Sequence, residues 1–145
     1  MTEYPNEIFE RVLNLEWPWY VDRFGFDDES QTLLVYLDFE KGGTFTCGSC
    51  GTTGCKAYDT YRKQWRHLDF FRYRTFLHGP SPRVSCPSCG IKQAALPWAR
   101  RRQRLTLAFE EMVVSLVQEM PIRAVSRLVG EHDTRLWRVV NHYMD

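Results

Sequence analysis

The sequence predicts an α+β fold in two parts, β-rich up to residue 98 and helical from residue 105. Three observations along the 145 residues carry this reading. Over 19–40 and 61–78, short apolar runs alternate as strands with one buried face require. Two cysteine pairs bracket the second of those regions, each pair spaced by two residues and followed by glycine. From residue 105 the apolar spacing lengthens to three and four, the period of a helix.

In order, residues 5–15 read as a short amphipathic helix, with Pro5 at its start and Ile8, Phe9, Val12 and Leu13 on one side. Residues 19–26 and 32–40 are strands around the turn Asp27-Asp28-Glu29-Ser30, with Leu33, Val35, Leu37 and Phe39 alternating toward a core. Gly42-Gly43 separates this hairpin from the first cysteine pair. Residues 61–67 and 70–78 form strands rich in aromatic and basic side chains. Phe71, Tyr73, Thr75 and Leu77 are expected on one face, with Arg72 and Arg74 on the other. His78-Gly79-Pro80-Ser81-Pro82 is expected to turn the chain back toward the second pair.

The helical part opens with Thr106 as N-cap and continues through Phe109, Met112, Val113, Leu116, Val117 and Met120. Pro121 breaks that helix and opens the next, over about 122–129. Gly130-Glu131-His132 makes a turn, and Asp133 or Thr134 caps a third helix running toward Met144. Three short helices with a turn between the last two make a three-helix helix-turn-helix domain over 105–145. It follows a first domain over 1–98 and a basic linker arm over 99–104.

The cysteine pairs carry the most chemistry. They read Cys47-Gly48-Ser49-Cys50-Gly51 and Cys86-Pro87-Ser88-Cys89-Gly90, with 35 residues between them. A two-residue gap turns both sulfurs of a knuckle toward one ion, and the following glycine can take the left-handed conformation that frees backbone N–H groups for the thiolates. Two such knuckles complete a tetrahedral four-sulfur site. The expectation is one structural Zn2+ held by Cys47, Cys50, Cys86 and Cys89 in a zinc-ribbon-like β domain, with a closed shell that leaves no place for substrate. Cys55 reads as a spare thiol, with ligand exchange as the alternative. An acidic N-terminus without a signal segment, and no apolar run approaching about 20 residues, point to a cytosolic chain rather than a secreted or membrane one.

A net charge of +1 conceals a sharp polarity. Residues 1–40 hold 2 basic and 10 acidic side chains, residues 41–104 hold 13 and 2, and residues 105–145 hold 4 and 6. Positive charge concentrated on the cysteine-bearing segment attracts polyanions. Arg62, Lys63, Arg66, Arg72 and Arg74 are expected to touch phosphates, and Arg100, Arg101, Arg102 and Arg104 to form an arm along a DNA groove. On the third helix, Leu136, Val140 and Tyr143, helped by Trp137 or Val139, can pack inward. Thr134, Arg135, Arg138, Asn141 and His142 are left outside, where a recognition helix meets base edges. Arg135, Arg138, Asn141 and Thr134 are the expected readers of double-stranded DNA.

At these residues the chain resembles a known family. YRKQWRHLDFFRYRTFL (Tyr61–Leu77), then PRVSCPSCG and LPWARRRQRLTLAFEEMVVSLVQEMPIRAVSRLVGEHDTRLWRVV, resemble the N-terminal region of ISL3-family insertion-sequence transposases. The resemblance implies a zinc-finger module and a helix-turn-helix that recognise the terminal inverted repeats of a mobile element in the bacterial nucleoid. It carries over Cys47, Cys50, Cys86 and Cys89 as zinc ligands, the last of them often histidine in relatives. Where relatives have a Val-His-Asp segment, this chain has Ala57-Tyr58-Asp59. The family's Asp-Asp-Glu catalytic domain of ribonuclease-H-like fold is expected to be absent from this chain, and no Ser/His/Asp order, phosphate loop or partnered carboxylate points to catalysis within it. Self-association on DNA is left open. One rival reading is a zinc-stabilised protein-interaction module for transposase assembly or a host factor. A weaker one makes the carboxylates of 22–40, Asp38 among them, a metal-dependent nuclease site.

Overall fold

The computed structural model describes residues 5–144; residues 1–4 of the expected first domain and Asp145 of the last lie outside the described residues. The elements run α1 (Pro5–Val12), β1 (Trp19–Asp27), β2 (Thr32–Phe39), β3 (Thr44–Phe45), β4 (Cys55–Phe70), β5 (Tyr73–Cys86), β6 (Gly90–Gln93), α2 (Leu107–Val117), α3 (Ile122–Val129) and α4 (Asp133–Met144). They fall into two compact units, residues 1–106 and 107–145. The chain is therefore α+β. No helix among the described residues is long and apolar enough to cross a membrane.

In the first unit six strands form one sheet in the order β1-β2-β5-β4-β3, with β6 also paired to β5. The long hairpin β4–β5 spans the interval between the cysteine pairs and brings them to one end of the sheet. Alternation works as expected in β2, where Leu33, Val35 and Leu37 are buried. They join an aromatic core in which Trp98 meets the Trp19 and Trp65 rings edge-on, at centroid distances of 4.7 and 5.3 Å. Phe39 and Phe45 pack on Trp19 at 5.4 and 5.6 Å.

Several expectations change. The first helix stops at Val12, and Asn14 at φ 57° turns the chain away. Of its apolar side, Phe9 is buried while Ile8 and Val12 stay exposed. Residues 78–82 continue β5 instead of turning. Pro80 and Pro82 are two apart, so their missing N–H groups fall on one side of the strand. On that side β2 pairing ends at His78 and β6 pairing begins at Arg83, so no ladder needs those donors. The turn comes earlier, between Phe70 and Tyr73, and it leaves Phe71 outside at φ 56° and 88% exposed. Residues 99–104 are not a loose arm. Trp98 and Ala99 are buried, Arg66 N–H donates to Arg104 C=O at 2.7 Å, and Thr106 N–H donates to Arg66 C=O at 2.9 Å.

His67 is held in this last contact region, with Nδ1 2.8 Å from the Thr106 hydroxyl. Burial pushes its imidazole down to about 4. The folded chain therefore keeps His67 neutral where the unfolded chain, titrating near 6.5, takes a proton. Its contribution to stability is complete above pH 6.5 and is lost progressively as pH falls toward 4, by up to about 3 kcal/mol. Denaturant titrations at pH 7, 5.5 and 4 should show this loss, and His67→Gln should remove its share of the slope.

In the second unit each helix buries a short apolar stripe: Phe109 and Val113 on α2, Val125 and Val129 on α3, Leu136 and Val139 on α4. Glu110, beside Phe109, is also fully buried and accepts a 2.8 Å hydrogen bond from Tyr143 Oη. Gly130 at φ 74° ends α3. The residue that caps α4 is His132, one before the first of the expected caps. Its Nδ1 accepts from Thr134 N–H at 3.1 Å and its carbonyl accepts from Leu136 N–H at 3.2 Å. Glu131, where such turns usually carry an apolar residue, places its carboxylate 3.0 Å from Arg135 Nη1.

Candidate metal centre and nucleic-acid interface

The first knuckle lies between β3 and β4 and the second between β5 and β6, so the two hairpin ends carry them to one point. The sulfurs of Cys47, Cys50, Cys86 and Cys89 all lie within 4.8 Å of one another, and Cys50 and Cys86 are 3.6 Å apart. A tetrahedral ion with zinc–sulfur bonds of about 2.3 Å requires sulfur separations of roughly 3.8 Å. The residues present fit such an ion. Gly51 and Gly90 take φ 80° and 81°, the left-handed turn that a side chain would resist. The first knuckle points Ser49 N–H at Cys47 Sγ, 3.4 Å away.

The acidities show what the cluster needs. Hydrogen bonding from Thr52, whose hydroxyl is 3.0 Å from the sulfur, pulls Cys50 down to about 6. Backbone N–H groups of the second knuckle, first that of Cys89, pull Cys86 down. Cys89 is pushed up to about 12, first by its hydrogen bond with Cys50 and then by burial. Four converging thiols do not all ionise unless a cation shares their charge. Cys55 is buried outside the group, its thiol 3.5 Å from the Thr52 carbonyl, and burial raises its pKa. No other group of three or more His, Cys, Asp or Glu side chains among the described residues is arranged to hold a metal.

The expected basic contacts do not form one surface. Arg66 is a correction: it is 3% exposed, and its guanidinium reaches Asp69 at 2.8 Å, so it belongs to the interior. Arg62 and Lys63 fall on opposite faces of β4 by the period of two. Arg72 and Arg74 are exposed at the far end of the hairpin, Arg72 lying over the Tyr73 ring at 5.2 Å. Arg100 is half-buried, whereas Arg101, Arg102 and Arg104 are exposed. Lys63 has its pKa lowered by burial first and then by Arg104 and Arg102, which places these three cations together.

On α4, Thr134, Arg135, Arg138 and Asn141 are all exposed; Thr134, Arg138 and Asn141 lie on the side away from buried Leu136 and Val139, and Arg135, four residues before Val139, flanks it. Arg135 is engaged by Glu131, which leaves Thr134, Arg138 and Asn141 as the open polar row. Trp137 lies in the same row and is 49% exposed.

Residues 43–89 match the zinc-finger of the IS204/IS1001/IS1096/IS1165 transposases, and residues 94–144 match the helix-turn-helix domain of transposase family ISL3. The chain carries the paired domains of ISL3 transposases. The transposase for insertion sequence element IS1001 of Bordetella parapertussis is 31% identical over 127 residues, 86% of this chain and 29% of that protein. The transposase for insertion sequence element IS1557 of Mycobacterium tuberculosis is 37% identical over 99 residues, 61% of this chain and 22% of that protein. The chain thus spans less than a third of the length of these relatives. No solved structure matches it.

Within these ISL3 domains, sequence reasoning missed two features of the site. The sequence offers Trp137 or Val139 for the inward side; Val139 takes it, and Trp137, spaced three from Thr134 and four from Asn141, aligns with the outer row. Lys92 stands alone in the sequence, so no charge run marks it, yet β6 sets it beside Arg101 and Arg102.

Proposed function

We propose that this chain is the DNA-binding region of an ISL3-type transposase and that it recognises the terminal inverted repeats of an insertion sequence. The observation that carries the reading is the exposed row Thr134, Arg138 and Asn141 on α4. It follows the α3–α4 turn in a segment of helix-turn-helix type. Arginine suits guanine and asparagine suits adenine in the major groove, each through two parallel hydrogen bonds. Arg62, Lys63, Arg72, Arg74, Arg101, Arg102 and Arg104 contribute sequence-independent attraction to phosphate. In the first unit, Cys47, Cys50, Cys86 and Cys89 hold one Zn2+, which when bound supplies structure and no open coordination position for chemistry. The 145 residues bind DNA in this reading and leave strand cleavage and joining to a catalytic domain outside them, in a bacterial cytoplasm.

Fluorescence anisotropy tests it, with a duplex bearing an ISL3-type terminal repeat against a shuffled duplex at about 0.15 M salt. Specific binding tighter by about a thousandfold is expected. Equal affinities for the two would reject recognition of the repeat.

A further inference from the structure

Beside the metal centre, a groove of about 430 Å³ is lined by Ser49, Tyr61, Arg83, Ile91, Lys92, Gln93, Arg101 and Arg102. Every one of these residues belongs to the first unit. Residues 41–104 contain only two carboxylates, Asp59 and Asp69, and both are already committed. Asp69 pairs with Arg66, and Asp59 takes Arg83 through two hydrogen bonds of 2.8 and 2.5 Å. Lys92, Arg101 and Arg102 have no ion-pair partner among the described residues, so the groove is positive without internal compensation.

The groove is also shaped. Arg83, neutralised by Asp59, lies against the Tyr58 and Tyr61 rings at 5.7 and 5.4 Å and so steadies an aromatic wall in which Tyr61 is 51% exposed. Arg101 donates from Nη1 to Ser49 Oγ at 3.1 Å, which ties the basic segment to the first knuckle. Gly48 allows that approach: a Cβ there would stand 2.6 Å from the Gln93 carbonyl and 3.2 Å from Arg101 Cδ. Cations beside an exposed ring, with no carboxylate left to answer them, are the chemistry of a phosphodiester site.

We infer that this groove holds the sugar-phosphate backbone of one strand of duplex DNA, with Lys92, Arg101 and Arg102 on phosphates and Tyr61 against the sugar. The inference rests on the DNA-binding reading and adds a contact independent of base sequence. Arg83 and Asp59 are positioning residues in it, acting through Tyr61.

The test uses the zinc-loaded full chain and a 20-base-pair duplex of arbitrary sequence, titrated at several salt concentrations between about 0.05 and 0.2 M. Lys92→Gln and Arg101→Gln should each reduce the slope of log affinity against log salt by about 0.9 and weaken binding several-fold, with metal content unchanged. Lys41→Gln, an exposed cation outside the groove, serves as the control and should alter neither. If both groove variants behave as Lys41→Gln does while the unaltered chain binds duplex, the groove assignment is wrong and the broader reading stands. If the unaltered chain binds no duplex, both fall.

Discussion

Cys86→Ser is expected to lower the melting temperature of the zinc-loaded first unit by more than about 15 °C and to abolish stoichiometric metal. Binding at a thousand times the dissociation constant stabilises by about 4 kcal/mol, and each kcal/mol moves the midpoint of a unit this size by about 4–8 °C. The route from the metal to the core is short. β3 and β6 have two and four residues, too few to hold alone. The first knuckle fixes their ends through Gly48 N–H to Gln93 C=O at 2.9 Å and Ala95 N–H to Thr46 C=O at 2.8 Å. Three residues beyond Ala95, Trp98 fills the core between Trp19 and Trp65. Loss of the metal should therefore appear as exposure of buried tryptophan, read by fluorescence and near-ultraviolet circular dichroism. Cys55→Ser, outside the cluster, should keep one metal per chain by elemental analysis. A Cys86→Ser protein that retains metal and melts normally would show that the four sulfurs are not a metal site. Acidification should release the metal as well, because protons compete for the thiolates.

The second large effect belongs to α4. Arg138→Ala and Asn141→Ala should each weaken binding to the preferred duplex by roughly 10- to 100-fold, since a bidentate base contact is worth about 1–3 kcal/mol. Affinity for unrelated duplex should change little for Asn141→Ala and modestly for Arg138→Ala, which also removes a charge. Both side chains are exposed and neither has a packing role, so thermal stability should hold within about 0.5 kcal/mol. Arg135→Ala should matter less for base choice, because Glu131 already holds that guanidinium.

The strongly periodic and motif-bearing parts of this fold were open to reading from sequence. The β1–β2 hairpin follows from alternation around an acidic turn, and α2 to α4 follow from helical spacing punctuated by Pro121 and Gly130. The knuckle cysteines converge because spacing and a following glycine impose local geometry wherever the turns are placed. What was hidden depended on partners distant in the chain. Trp98 closes the first domain beside a basic stretch, and nothing in its neighbourhood marks a partner, yet it meets Trp19, 79 residues earlier in sequence. Arg66 sits in a basic aromatic strand like its neighbours, yet Arg104–Thr106 pass beside its backbone and its guanidinium is buried, reaching Asp69. Prolines 80 and 82 signal a turn by composition, but an unpaired stretch on one side of β5 accommodates them. Glu110 is a carboxylate on an apolar stripe, and Tyr143 reaches it from another helix.

The central claim, that α4 reads base sequence, is tested most directly by selecting binders from a random duplex library with the zinc-loaded chain at about 0.15 M salt. The expected result is an enriched motif that disappears with the Arg138→Ala, Asn141→Ala double variant. Absence of enrichment, with binding that fades as salt rises, would contradict it and leave phosphate attraction as the whole of the interaction.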